Sequence, residues 1–439
     1  MPLQYSISGA TSEQIASSVE DAIRDERLVP GDVLPTVRAL AGDLGVSPTT
    51  VAASYRELAR RGVVMGEGRR GTRVRPAPPV AGRLPIAVPR GVLDLRTGGP
   101  DPMLLPALPR IGRFANHTRA VRYGEPSVSE KLATVAMEKL AAEGVETGSI
   151  AAVGGALDGV ERVLDAWLRP GDKVAVEDPG YTAVLDLLAA LGLKPVPLEV
   201  DQLGVRPVSL ERVVERGIAA AVLTPRAQNP TGAAWDEERA ASLRALLSRR
   251  QDVLLVEDDH AGPAAGLSLH SICAGRRRWA TIRSVSKWLG PDLRLAVVAG
   301  DPVTVSRVEG RQALGTGWVS HVLQEMVAEM WSDPGTAATL EEAARVYSSR
   351  RDALVDALGA EGIAATARSG LTLWVPVADE HAVVAGLMDH GIAVAPGEPF
   401  RIESPPGIRI ALATLQERDA PRVAGALSRV LKQRSVRFG

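Results

Sequence analysis

"SVSKWLGPDLRLAVVAG", residues 284–300, places one of the chain's six lysines, Lys287, at the end of an apolar run. Lysine and arginine together number 51, so lysine is the rare choice here. Arginine stays protonated and serves a surface charge or an ion pair well. A desolvated lysine can lose its proton and attack a carbonyl to form a Schiff base. The plainer reading of Lys287 is a solvated amine at a strand end. Its surroundings decide between the two.

Outward from Lys287, short apolar runs repeat through the second part of the chain. They occupy 151–153, 173–177, 219–224, 252–257, 280–285 and 295–300. Helical patterns such as "ALDGVERVLDAWL" and "DEERAASLRALLSRR" lie between the earlier ones. Alternating strands and helices predict an α/β domain with a mainly parallel sheet. Ligands collect outside the carboxyl ends of such strands. After the first run comes "GGALDG", a glycine turn into a helix that suits a phosphate. The next runs lead to "DPGY" with Tyr181, "PRAQNPTG" with Asn229, Asp258–Asp259–His260, and Ser286–Lys287. One sheet edge thus collects a phosphate seat, an aromatic ring, an amide, a carboxylate and an amine. Pyridoxal phosphate requires that set: an amine for the Schiff base, a carboxylate to keep the pyridine nitrogen protonated, a ring to stack. Taken singly, Tyr181 also reads as core and Asp258 as a helix cap.

Gross properties bound the reading. The chain has 439 residues, 45% of them hydrophobic, and a formal net charge of −1. A large core is available, and any attraction to nucleic acid must come from a local patch. The single Cys273 excludes an intrachain disulfide and a multi-cysteine zinc site. No apolar run is long enough to span a bilayer, and the N-terminus lacks a secretory pattern; a soluble, cytoplasmic protein is expected.

The first 75 residues have a different pattern. Thr11 and Gln14 form a capping box ahead of Ile15, Val19 and Ile23. "TVRALAGDLG" reads as a second helix ended by Gly45. A third follows at once, with Ser47 as N-cap and Pro48 in the first position. Closely spaced second and third helices predict a helix-turn-helix, and "VVMGEGRRGTRV" predicts a hairpin wing. Between Leu44 and Arg75 there are seven arginines against two acids. Such a stretch favours phosphate contacts, and Ser47, Thr49 and Thr50 would enter the major groove. A small packing domain with solvated arginines is the plainer alternative. Residues 76–93 read as a Pro-rich linker, leaving 94–439 for the large domain.

"LPTVRALAGDLGVSPTTVAASYRELARRGVV" resembles the winged helix of GntR-type bacterial regulators. The resemblance implies DNA contacts by Thr36, Arg38, Arg69 and Arg70. Pro48 departs from it, standing where the family often has a base-reading arginine. Residues 94–439 resemble a fold-type I aminotransferase, through "NPTG" (229–232) and "SKWLGPDLR" (286–294). By motif position, Lys287 is the Schiff-base residue. Ser284, Arg294 and the Gly155–Ala156 amides hold the phosphate. Tyr181 stacks, Asp258 meets the pyridine nitrogen, and Asn229 meets the phenolic oxygen. Arg409 takes a substrate carboxylate, and Tyr123 comes from across a homodimer. Leu157 and His260 depart from the pattern, the latter replacing a tyrosine.

The two domains together resemble the MocR subgroup of GntR regulators. That implies a pyridoxal-phosphate-binding transcription factor that binds an operator on double-stranded DNA. It would sense an amino acid, an amine or the cofactor itself through external aldimine formation. An active aminotransferase with an accessory DNA-binding domain is the alternative reading.

Overall fold

A computed structural model describes residues 7–60, 63–66, 71–75, 88–109, 121–365 and 367–435. The chain divides into two compact units. One comprises Met1–Leu84 with Leu168–Asp172 and Asp186–Lys194, and the other comprises the remainder.

In the first unit, α1 spans Ser12–Arg24, α2 Val37–Leu44 and α3 Pro48–Arg60. Each begins on a hydroxyl cap. Thr11, Thr36 and Ser47 accept from the backbone N–H groups of Gln14, Ala39 and Thr50 at 3.3, 3.2 and 3.1 Å. Gln14 reaches back one residue past the cap, accepting from the Ala10 N–H at 2.9 Å in a variant of the capping box. Gly45 ends α2 in the left-handed region, at φ 67°, which a Cβ would disfavour. Ile15, Val19, Leu40, Val51, Tyr55 and Leu58 form the core. Ile23 is half-buried; one turn on from Val19, Ala22 takes the buried place. The Tyr55 hydroxyl donates to the Pro35 carbonyl at 2.8 Å, tying α3 to the turn before α2. Strands β1 (Val64–Gly66) and β2 (Thr72–Val74) pair antiparallel as the expected hairpin. Its tip, with Arg69 and Arg70, lies outside the described residues, as do residues 76–87 of the linker.

The second unit holds two sheets. A four-stranded sheet has the order β12 (Thr372–Pro376), β14 (Gly407–Ala411), β13 (Ile392–Pro396), β3 (Leu93–Leu95). The eight-stranded sheet begins with β4 (Ser149–Val153), β11 (Ala296–Gly300), β10 (Trp279–Ser284) and β9 (Leu254–Asp259). It continues through β8 (Ala220–Leu223), β5 (Lys173–Asp178), β6 (Lys194–Asp201) and β7 (Gly204–Val205). Strands β10, β9, β8 and β5 are parallel neighbours. Apart from the exposed Lys173, their residues are buried throughout, as expected of a sheet covered on both faces. β11 runs antiparallel between β10 and β4. The carboxyl ends of β4, β5, β8, β9 and β10 and the start of β11 therefore share one edge. Among the described residues, no helix is long and apolar enough to cross a membrane.

The caps of the first unit can be tested by substitution. Ser47→Ala should cost that unit about 1 kcal/mol, whereas Ser47→Asp should retain most of it. Hydrogen exchange of the α3 amides measures both.

Candidate functional site

Lys287 follows β10 and is half-buried. It lines a small cavity with Gly98, Ala227, Asn229, His260, Ala261, Leu371 and Thr372. Its ammonium donates to the Gly98 carbonyl. Burial, reinforced by the Arg409 guanidinium and opposed by Asp258, lowers its pKa to about 8. That is the direction an amine needs in order to act as a nucleophile.

Asp258 lies one strand away, at the end of β9, and is buried. Its Oδ1 has no hydrogen-bond partner in the structure. Burial first, then the negative charges of Asp259 and Glu177, raise its pKa to about 7, against the pull of Lys287. Tyr181 and Asp258 line a second small cavity together with Glu177 and Thr224. His260 stands with Lys287, and its Nδ1 is 3.8 Å from Asp258 Oδ2. Burial and the Lys287 charge lower its pKa to about 4, so the ring is neutral near pH 7.

The β4 turn supplies the glycine seat. Gly155 has φ 122°, and a Cβ there would come within 2.4 Å of Arg294 Nη2. A side chain there would be strained by the backbone and would have to displace the Arg294 guanidinium. Ala156 opens the helix Ala156–Trp167, so its free N–H groups face the same turn. Arg294 donates to the Gly154 carbonyl at 3.1 Å and to Ser286 Oγ at 3.2 Å. Ser284 Oγ accepts from the Ser286 N–H at 3.2 Å. Arg409, on β14, is buried over the Phe400 ring at 4.7 Å and donates to Asn229 Oδ1 at 3.3 Å and to the Arg96 carbonyl. Its Nε has no partner in the structure, and burial lowers its pKa to about 10.

Tyr123 stands apart. It is 93% exposed, its ring packs edge-on against Trp318 at 5.5 Å, and it lines neither cavity. In the first unit Thr36, Arg38, Ser47 and Thr49 are exposed, and Thr50 is half-buried. The Thr49 and Thr50 hydroxyls lie 2.7 and 2.8 Å from Ser47 Oγ.

Sequence reasoning named Ser286 beside Lys287 but gave it no role; it links the lysine loop to Arg294. That reasoning passed over Ala227, which lines the lysine cavity at φ 55°, unusual for a residue with a Cβ. Nothing in an alanine's identity announces that.

Comparison with known proteins assigns a family to each part of the chain. Residues 92–427 match the family described as aminotransferase class I and II, and residues 11–74 match the bacterial regulatory proteins of the gntR family. The vitamin B6 salvage pathway transcriptional repressor PtsJ of Salmonella typhimurium is 37% identical, over 97% of this chain and all of that protein. The chain belongs to the MocR subgroup of GntR-type regulators. This MocR-type chain is a DNA-binding transcriptional regulator with a fold-type I aminotransferase domain, whose cofactor is pyridoxal phosphate. The pyridoxine biosynthesis regulator PdxR of Corynebacterium glutamicum is 26% identical over 81% of this chain and 79% of its own. A kynurenine aminotransferase structure from Pyrococcus horikoshii superimposes with a TM-score of 0.72 at 23% identity, covering 78% of this chain and 91% of that one. The residues present in the MocR chain fit the cofactor. They offer a buried carboxylate with one oxygen unpartnered, a glycine seat closed by an arginine, and an amine held toward its neutral form.

These charges predict a pH dependence for the cofactor-free protein. The folded-state pKa of Asp258, about 7, lies above its unfolded value of about 4. Its contribution to stability is therefore full below pH ~4 and is lost as pH rises through about 7. Asp258→Asn should flatten that loss and raise stability at pH 8, while weakening cofactor binding. Urea denaturation at a series of pH values reads the first effect, and equilibrium titration with the cofactor reads the second.

Proposed function

We propose that pyridoxal phosphate, held at the shared strand edge, sets the affinity of this regulator for its operator. The observation that carries the reading is that Lys287 and Asp258, whose Oδ1 has no partner, follow or end adjacent strands. When bound, pyridoxal phosphate supplies an aldehyde for an amine and an electron-withdrawing ring. Lys287 is the amine that holds it. Asp258 holds a proton at the pyridine nitrogen through a charge-assisted bond. Tyr181 stacks, Asn229 and His260 meet the phenolic oxygen, and Ser284, Arg294 and the Gly155–Ala156 amides take the phosphate. Neutral His260 offers a weaker donor there than a protonated ring would.

Two relatives are named for vitamin B6 salvage and pyridoxine biosynthesis, which supports the cofactor itself as the signal. A second reading has its own observation: the buried Arg409, with Nε unpartnered, suits the carboxylate of an amino acid effector. Either ligand acts on DNA binding only by favouring one arrangement of the protein over another. The DNA-binding domain is residues 1–75, the linker 76–93 and the effector domain 94–439, working as a cytoplasmic homodimer. Tyr123, exposed in one copy, serves the partner's site. Thr36, Arg38, Ser47, Thr49, Thr50, Arg69 and Arg70 meet the operator.

One titration tests the reading. Adding pyridoxal phosphate to the full chain should produce absorbance near the visible edge and change affinity for operator DNA. Lys287→Ala should abolish the absorbance and the response while leaving cofactor-free DNA binding intact. Rapid catalytic formation of keto acid from an added amino acid, with no effect on DNA, would support the aminotransferase reading instead. Arg38→Ala should flatten the salt dependence of DNA binding by about one unit if it contacts a phosphate. An unchanged slope would remove Arg38 from the interface.

A further inference from the structure

Behind the cofactor edge lies a closed cycle of four charges. Arg226 donates to Asp259 through Nε at 2.8 Å and Nη2 at 3.1 Å. Arg283 donates to the same carboxylate through Nε at 2.6 Å. Both guanidiniums then meet Glu143, Arg226 at 2.9 Å and Arg283 at 2.6 and 3.2 Å. The Arg226, Asp259 and Arg283 side chains are 4%, 0% and 0% exposed, and Glu143 closes the cycle at the rim, at 30%. Two positive and two negative charges leave the ring neutral as a whole.

Its place in the fold is specific. Arg226 sits three residues before Asn229, Asp259 between Asp258 and His260, and Arg283 directly before Ser284. Asp259 and Arg283 are register partners on β9 and β10. Strand alternation turns both away from the face that Asp258 and Ser284 present. The ring therefore binds together, from behind, the three strand ends that carry the cofactor residues. A buried ion pair roughly breaks even against packed apolar side chains, so stability alone does not explain four charges here.

We propose that the Arg226–Asp259–Arg283–Glu143 ring is the positioning device of the cofactor site, holding the ends of β8, β9 and β10 in place and fixing the charge felt by Asp258. The inference rests on the reading that Asp258 faces the cofactor. Five titratable groups act on that carboxyl or lie beside it: Glu177 on β5 and Tyr181 after it, His260, Lys287 after β10, and Asp259 on the opposite face of the strand. Among these, only Asp259 belongs to the ring, and the two arginines offset its charge. Removing Asp259 leaves a net positive charge behind Asp258 and favours its carboxylate. Removing Arg226 leaves a net negative charge and favours the protonated form. A general loss of packing would not move the two variants in opposite directions.

The experiment uses the full chain. The protonation of Asp258 is followed by carboxyl-carbon NMR in the cofactor-free protein, and the bound cofactor by its absorbance against pH. Asp259→Asn should move the Asp258 titration down by about one pH unit, and Arg226→Gln should move it up by a similar amount. The acid limb of the cofactor absorbance should follow each, and in an Asp258→Asn background neither variant should move it. Shifts in the same direction, no shift, or shifts persisting in that background would overturn the proposal. Should either buried variant fail to fold, Glu143→Gln at the rim should give a smaller shift in the Asp259→Asn direction, and its absence would be decisive. If the unaltered protein takes up no pyridoxal phosphate, the functional reading falls, while the NMR titration still decides the ring.

Discussion

Successive side chains on a strand point to opposite faces, and on β9 this rule separates two adjacent carboxylates. Asp258 faces the cavity edge, has an oxygen without a partner, and is pushed toward its neutral form. Asp259 faces back, meets two guanidiniums, and is held well below the usual carboxylate range despite its burial. The same two atoms of chemistry thus serve opposite ends: one group is kept short of partners, the other is saturated. The arrangement of Arg226, Arg283, Lys287 and His260 follows from which of the two each one faces.

The sequence made the cofactor edge legible because its parts lie directly after strands. A parallel sheet brings such positions together however far apart they are in the chain. Lys287, Asp258, Asn229, Tyr181 and the Gly155 turn could be placed for that reason. The charge ring was not legible, since Glu143 lies 83 residues from Arg226 and 140 from Arg283, after a helix whose own sequence shows no link to them. Ala227 was equally silent, because its left-handed backbone is imposed by its surroundings. Tyr123 was assigned only by resemblance, and it packs on Trp318, lining neither cavity.

The N-terminal unit was readable for a different reason. Caps, helix faces and turns are local, and each signal lies within a few residues of what it determines. The strand that departs from the parallel rule, β11, was read as an apolar run without a direction. Only its short connection to β10 forces the reversal.

That connection, Val285–Leu295, carries Ser286, Lys287 and Arg294 in a single stretch. Its two ends are bonded to each other, Val285 N–H to the Leu295 carbonyl at 3.1 Å. The buried Trp288 anchors it from within, donating to the Ser284 carbonyl at 2.6 Å and packing edge-on against Trp331. Lys287 and Arg294 are therefore parts of one bracket, joined through Ser286, and a change that shifts one shifts the other. His260 and Ala227 line the same cavity from outside this bracket, just after β9 and β8, so a substitution at either alters the surroundings of the Lys287 amine without touching the connection that carries it.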